Sequence, residues 1–305
     1  MIRFARSIAV NRRPLRSLVI HMLPIHICFI AISFAAVCAL ATSMIAANGD
    51  PFRYRVGIRN SPGEFKLNDK ELETTLKSLR DKTGFLEIAF DENGFLTLGD
   101  QTKFSGGSAT ARALLDAAIK MPHVVDLESH PYSSLIAFAR LAKPIAYQHY
   151  STGKKIDVFP LEIDFSDLSK LRGDKQALTA FDLGFVILHE LGHAALGLRD
   201  ASGDPQGLGE CEEMINRIRR ELNLPERQTY IAQVYKSPNI LTAPNTARQA
   251  ELIFSRVVEK QGRMQIERFN LRWEASKVGP ITDISSQSIA RIRNTKPITA
   301  TVPGQ

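Results

Sequence analysis

Cysteine is nearly absent from the part of the chain that follows the first 48 residues. The sequence has three cysteines, and two of them, Cys28 and Cys38, lie in an apolar N-terminal stretch. Cys211 is left alone in the body, and a single cysteine cannot form an intrachain disulfide. A disulfide-stapled scaffold is therefore excluded, and the body must be stabilised by its hydrophobic core. A chain of 305 residues with 44% hydrophobic residues can supply such a core.

Charged side chains are missing from Ser17 to Gly49, whereas the first 16 residues contain five arginines and no acid. An arginine-bearing start before a long apolar run is typical of an export signal or a membrane anchor. The arginines would keep the N-terminus in the cytoplasm, and Ala39, Ala41 and Ser43 offer sites for signal peptidase. We expect an exported body, either anchored in the inner membrane and facing the periplasm or secreted after cleavage. The membrane is a partner if the leader is retained.

The body also lacks a strong excess of positive charge. The whole chain has a net charge of +7, but without the five leader arginines 34 basic residues face 32 acidic ones. No stripe rich in lysine and arginine with interleaved aromatic residues occurs, which argues against nucleic acid as a partner.

Residue periodicity predicts an α+β body without internal repeats. We expect helices over "LNDKELETTLKSLRDKTG", capped by Asn68, over "SATARALLDAAIK", over "CEEMINRIRRELNLP", and a long one over "ALTAFDLGFVILHELGHAALG". A hairpin is predicted around "DENG", and strands over "HVVDLES" and "KIDVFPLEIDF". The last strand is either a core strand or a sheet edge along which an extended substrate lies. The chain therefore divides into a leader (1–48), a body (49–275) and a loose polar tail (276–305).

The body's most informative motif is "HELGH", residues 189–193. On a helix, His189 and His193 project from one face one turn apart, so both imidazoles can bind one metal ion. Zinc accepts imidazole nitrogen, and a catalytic zinc site keeps one position open for water. Glu190 stands beside the first ligand, where it can act as general base and then as general acid. The alternative is a buried helix with two satisfied histidines, but three polar groups without a metal are costly to bury.

A third protein ligand is required, and the sequence offers several. The metzincin continuation is absent, because Leu196 and Arg199 occupy its glycine and histidine positions. An acidic ligand from the following helix is the natural alternative. Glu212 is the preferred candidate, since Asn216 lies one turn later on the same face and can orient it. The other candidates are Glu213, Glu210 and Asp200.

The segment from Phe181 to Tyr230 resembles the NleD-type effector metallopeptidases of bacteria and their relatives in toxin domains. That family typically shows "HELGHA", a glutamate, and then "EN..IR.E.GLP.R..Y". The matching residues in this chain are Asn216, Arg219, Glu221, Leu224, Pro225, Arg227 and Tyr230. Ile215 departs from the pattern where the family usually has glutamate, so the resemblance does not identify the third ligand. It implies a zincin-like fold and a zinc-dependent peptidase.

Arg227 and Tyr230 are also similar to the arginine and tyrosine that clostridial neurotoxin light chains place across the zinc site. The resemblance implies that both side chains stabilise the oxyanion of the tetrahedral intermediate, a role for which such a site needs donors. Members of the family cut signalling kinases inside host cells. An effector of that kind normally lacks an apolar leader, so the leader argues against a kinase substrate here.

Together these features predict a zincin-like zinc metalloendopeptidase that hydrolyses peptide bonds of a protein or peptide substrate. His189, His193 and Glu212 are the predicted Zn²⁺ ligands, and Glu190, Tyr230 and Arg227 the predicted catalytic residues. One alternative is a catalytically inactive zincin-like binding module anchored in the membrane. Others are a hydrolase acting on a non-peptide amide, and a structural membrane protein in which "HELGH" is accidental.

Overall fold

The computed structural model describes residues 55–148, 153, 155–201, 207–236 and 248–279. The predicted leader, residues 1–48, lies outside these residues. Among the helices of the described ranges, none has both the length and the apolar character to cross a membrane.

A five-stranded sheet forms the first half of the fold. Its strands are β1 (Gly57–Asn60), β4 (Val124–Ser129), β5 (Ala139–Leu141), β6 (Ile145–Gln148) and β7 (Lys155–Ile163). Strands β1, β4 and β7 are parallel neighbours, while β5 and β6 both pair antiparallel with the far side of β7. Strand β7, the "KIDVFPLEIDF" segment, is therefore covered on both sides, and the alternative that it is a free edge for substrate is wrong. The predicted hairpin around "DENG" is confirmed as β2 (Ala89–Phe90) and β3 (Leu96–Thr97).

Most helices of the described residues pack against this sheet, whereas the helix Lys175–Ala180 packs in a second hydrophobic cluster. The helices are α1 (Asp69–Thr83), α2 (Ala109–Lys120), α3 (Phe165–Leu168), α4 (Lys175–Ala180), α5 (Leu183–Leu196) and α6 (Gly209–Glu221). Helix α1 begins with a capping box between Asn68 and Glu71, and ends at Gly84 in the left-handed conformation. Both ends are as predicted.

The prediction of one long helix from residue 177 to Gly197 is wrong, because the chain breaks at Phe181 and Asp182. Phe181 ends α4 with a non-helical backbone, and the Asp182 carboxylate accepts a hydrogen bond from the Phe185 N–H at 3.3 Å. Asp182 also forms an ion pair with buried Lys82 at 2.5 Å. The break gives the "HELGH" motif its own capped helix, α5.

A second sheet, not anticipated from the sequence, covers the other side of α5. Its strands are β8 (Arg172–Gly173), β9 (Glu226–Arg227), β10 (Gln233–Lys236), β11 (Arg248–Lys260) and β12 (Arg263–Glu274). Strands β11 and β12 form a long hairpin in register from Gln249–Glu274 to Lys260–Arg263. After β12, Ala275–Lys277 forms a 3₁₀ helix and Val278 is buried, so the fold extends four residues into the predicted tail.

Two hydrophobic clusters meet at α5. The first joins the five-stranded sheet to α1, α2, α5 and α6, and includes Leu188 and Leu191. The second lies under the second sheet and includes Val186, Phe138 and Trp273. Gly192 lets α6 approach closely, because a Cβ there would lie 2.8 Å from Cys211 Sγ. The motif helix is thus held from both sides, a rigid setting for a site.

Candidate metal centre

His189 and His193 lie on the same face of α5 with their rings edge to face, 4.8 Å between centroids. Each ring has its Nδ1 on an acceptor: His193 Nδ1 lies 2.6 Å from the Leu198 carbonyl oxygen, and His189 Nδ1 lies 3.4 Å from Glu212 Oε2. An acceptor on Nδ1 places the hydrogen there and leaves the Nε2 lone pair free for a metal. Both imidazoles are thus oriented as metal ligands.

Asp200 completes a triangle of ligand atoms with the two histidines. Its Oδ1 lies 3.0 Å from His189 Nε2 and 3.3 Å from His193 Nε2, and the two Nε2 atoms are 3.2 Å apart. Zinc bonds of about 2.0–2.1 Å in a tetrahedron separate the ligand atoms by about 3.3 Å. The three atoms therefore fit one zinc ion with little movement.

Asp200 is held at the centre by contacts between the segment after α5 and the start of α6. It forms an isolated bridge with Gly209, and the Cys211 N–H donates to the Arg199 carbonyl oxygen at 3.2 Å. Gly209 has a φ of +75°, and a Cβ there would come within 2.3 Å of the Ala201 nitrogen. Only glycine fits this position.

Glu212, the preferred third ligand from the sequence, does not join this triangle. Its carboxylate lies on the Nδ1 side of His189, opposite the Nε2 atom that faces Asp200. Glu212 is 1% exposed and is held by the guanidinium groups of Arg219 and Arg227. The geometry therefore favours Asp200 over Glu212 as the third ligand, and Glu212 is placed to orient His189 through Nδ1.

The remaining ligand candidates are less suitable. Glu213 is exposed, and Glu210 accepts a hydrogen bond from the Arg199 N–H at 3.1 Å. Cys211 Sγ lies within 4.8 Å of ligand atoms on both histidines, but its thiol donates to the His189 carbonyl oxygen. Burial raises the pKa of Cys211, whereas Asp200 offers a carboxylate oxygen 3.0 and 3.3 Å from the two Nε2 atoms.

Glu190 points from α5 towards β5, the neighbouring edge of the five-stranded sheet. Its Oε2 accepts a hydrogen bond from the Leu141 N–H at 2.9 Å. Burial raises the pKa of Glu190, while the charges of His189 and His193 lower it less. A carboxyl group with its pKa shifted towards neutrality can both accept and release a proton.

Tyr230 lies against the centre, whereas Arg227 lies behind it. The Tyr230 ring stacks on the His189 ring with 5.8 Å between centroids, and its hydroxyl hydrogen-bonds to Asp200. Arg227 donates to Glu212, to the Thr229 carbonyl oxygen at 2.9 Å and to the Tyr230 carbonyl oxygen. With its donors on these groups, Arg227 fits a positioning role better than the predicted direct role at the substrate carbonyl.

Asn216 fixes the position of Arg227. Its Oδ1 accepts from the Arg227 N–H and its Nδ2 donates to the Arg227 carbonyl oxygen, both at 2.8 Å. Asn216 therefore contacts Arg227, which in turn contacts Glu212. It lies one contact farther from the candidate metal ligands than the sequence predicted.

We expect Glu212→Gln to lower the free energy of unfolding of the metal-free protein by about 3–5 kcal/mol, because it leaves buried Arg219 without its carboxylate. Urea unfolding measures the loss. The exposed neighbour gives a matched control, Glu213→Gln, which should change stability by less than about 0.5 kcal/mol. If Glu212→Gln and Glu213→Gln were equally stable, the Glu212–Arg219 ion pair would not have the stabilising role assigned to it.

Zinc affinity should rise with pH through the neutral range. Burial alone lowers the pKa of His189, but hydrogen bonds to Asp200, Cys211 and Glu212 outweigh it and raise the pKa well above 6.5. The hydrogen bond to Asp200 raises the pKa of His193 as well. Because the metal-free histidines stay protonated to higher pH, zinc must displace protons below these pKa values. Calorimetry in two buffers of different ionisation enthalpy should show that zinc binding releases protons, and that fewer are released as the pH rises. A measurement with no proton release at pH 7 would contradict this.

A second group with ligand-type atoms lies away from this centre, at Glu128, His130 and Glu162. His130 Nε2 is 3.0 Å from Glu128 Oε2, and Arg140 Nη2 is 2.5 Å from Glu162 Oε2. These contacts are a histidine–carboxylate hydrogen bond and an arginine–glutamate ion pair on the sheet.

Comparison with known proteins finds no match for this chain among family models, curated proteins or solved structures. The sequence resemblance therefore remains a prediction, and the mixed α and β fold is described from its own elements.

Proposed function

We propose that this chain is a zinc-dependent peptidase that hydrolyses peptide bonds with a metal-activated water. The observation that carries the proposal is the triangle of His189 Nε2, His193 Nε2 and Asp200 Oδ1. Two nitrogens and one carboxylate oxygen are a ligand set that zinc takes in catalytic sites, with one position left for water.

The donor set fits zinc better than calcium or magnesium, which take mostly oxygen ligands. When bound, zinc lowers the pKa of a water to about 7 and so supplies a nucleophile at neutral pH. The carboxylate of Glu212 holds the His189 tautomer that this requires, and the Leu198 carbonyl does the same for His193.

Glu190 is the residue of this chain that moves the proton. In the proposed mechanism its carboxylate takes a proton from the attacking water and delivers it to the amine of the leaving product. The Leu141 N–H holds one carboxylate oxygen, Oε2, in place throughout. The raised pKa of Glu190 brings it closer to the pKa range in which both transfers are efficient.

Tyr230 is the proposed donor to the oxygen that becomes negative in the transition state, where its hydroxyl would exchange the hydrogen bond it now makes to Asp200 for one to that oxygen. Burial, together with the neighbouring Asp200, raises its pKa, so the hydroxyl keeps its proton at neutral pH. A neutral hydroxyl beside the metal is the kind of donor that stabilises an oxyanion. Arg227 holds the backbone of Tyr230 through its carbonyl oxygen.

The test uses the full chain, purified in detergent and loaded with zinc, on a library of proteome-derived peptides. We expect about one zinc per chain and new peptide termini that vanish in Glu190→Gln. Zinc without cleavage would favour a non-catalytic binding module, and cleavage of non-peptide amides alone would favour the other hydrolase. No bound zinc would overturn the proposal.

A further inference from the structure

A cavity with an apolar wall on one side opens beside the candidate metal centre, and the peptidase mechanism does not use it. It has a volume of about 350 Å³ and reaches from His189, Glu190 and Tyr230 into the second hydrophobic cluster. Its apolar wall includes Phe138, Phe181, Val186, Ala250, Leu252 and Trp273. An engineered apolar cavity of about 150 Å³ binds benzene, so this one can hold a large side chain.

The charged groups in the lining are already compensated. Besides the metal centre they are Glu212, Arg219 and Arg227, and the two arginines contact the Glu212 carboxylate. A charged side chain entering the cavity would lose its hydration without gaining a free partner there. The cavity therefore favours an apolar occupant.

Phe138 occupies a strained position in the cavity wall. Its φ of +65° lies in the left-handed region, which is unusual for a bulky residue. The buried carboxylate of Asp167 holds it by accepting the Phe138 N–H at 3.1 Å. The ring then packs edge to face on Phe181 and Trp273, with centroids 5.0 and 5.4 Å apart. Strain of this kind persists where the surroundings impose it, often at ligand sites.

We infer that this cavity binds the side chain of a residue next to the scissile bond, and selects large apolar side chains there. The inference rests on the proposed peptidase function and names its substrate class: peptides with an aromatic or large aliphatic residue adjoining the cut. Ala250 is a small lining residue next to Trp273, its partner in the β11–β12 register, so a larger side chain there would fill part of the cavity.

Ala250→Leu tests this by filling the cavity, and Ala232→Leu, at a second lining position, repeats the test if the first variant folds poorly. In wild type, kcat/KM for a peptide with leucine beside the cut should exceed that for alanine by about tenfold or more. The filled variant should bring this ratio near one while it still cleaves the alanine peptide. Ala89→Leu, exposed on β2, is the matched control and should keep the wild-type ratio.

Cleavage sites without apolar enrichment on either side would overturn the inference. It would also be overturned if folded Ala250→Leu and Ala232→Leu lost kcat/KM equally for the leucine and the alanine peptide. A binding measurement separates this failure from that of the peptidase proposal. Zinc-loaded wild type should bind a peptide hydroxamate with a benzyl side chain about tenfold tighter than its methyl analogue. If the benzyl compound bound more tightly but no peptide were cleaved, the cavity assignment would hold and the peptidase proposal would be rejected. If both compounds bound equally, the cavity assignment would be rejected.

Discussion

Replacing Glu190 by glutamine should lower kcat/KM for a cleaved peptide by about 10³-fold and leave the zinc content unchanged. General acid–base catalysis contributes about 10²–10⁴-fold, and glutamine can neither accept nor return the proton. The side chain keeps its size, and its amide oxygen can still accept from the Leu141 N–H that now bonds to Glu190. The variant therefore removes the proton transfer and little else.

The control for this experiment is Glu73→Gln, at an exposed position on α1. It makes the same chemical change far from the metal centre and should retain wild-type kcat/KM. A Glu190→Gln enzyme with unchanged kcat/KM would show that another group moves the proton. It would also support the hypothesis that the zinc site is not catalytic.

Substituting Asp200 should weaken zinc binding more than substituting Glu212. Asp200→Asn removes a charged atom that lies 3.0 and 3.3 Å from the two Nε2 atoms, and we expect a loss of affinity of more than about 100-fold. Glu212→Gln removes an acceptor behind His189, and such outer groups are worth about 10- to 100-fold.

Competition with a chromophoric zinc chelator measures both affinities on the full chain. Asp200 and Glu212 both contact His189, so each substitution should weaken zinc binding. The test is which of the two lowers the zinc affinity more. A Glu212→Gln protein that loses zinc completely while Asp200→Asn retains it would restore the ligand set first predicted from the sequence.

The sequence predicted a metal centre, but its preferred third ligand is not the one that the geometry favours. His189, Glu190 and His193 share one helix, where spacing alone places their side chains. Asp200 lies in the loop after that helix, and its position depends on a bridge to Gly209 that no periodicity reveals. Glu212 looked suitable because it shares a helix face with Asn216, yet Arg219 and Arg227 hold it on the far side of His189.

The fold could be predicted where elements carry local signals. Asn68 and Gly84 mark the ends of α1 by capping chemistry that works within one turn. The second sheet was missed, although residues 248–274 alternate around Gln261 and Gly262, both in the left-handed conformation that a tight hairpin requires. The break at Asp182 was missed because an apolar run continues through it; Asp182 caps the second helix and pairs with Lys82, 100 residues earlier in the chain.

The most direct test of the central claim is anomalous diffraction at the zinc edge from crystals of the zinc-loaded full chain. The account predicts one strong peak, bonded to His189 Nε2, His193 Nε2 and Asp200 Oδ1, with Glu212 remaining on His189 Nδ1. A peak bonded to Glu212 or Cys211 instead, or no peak between the two histidines, would contradict it.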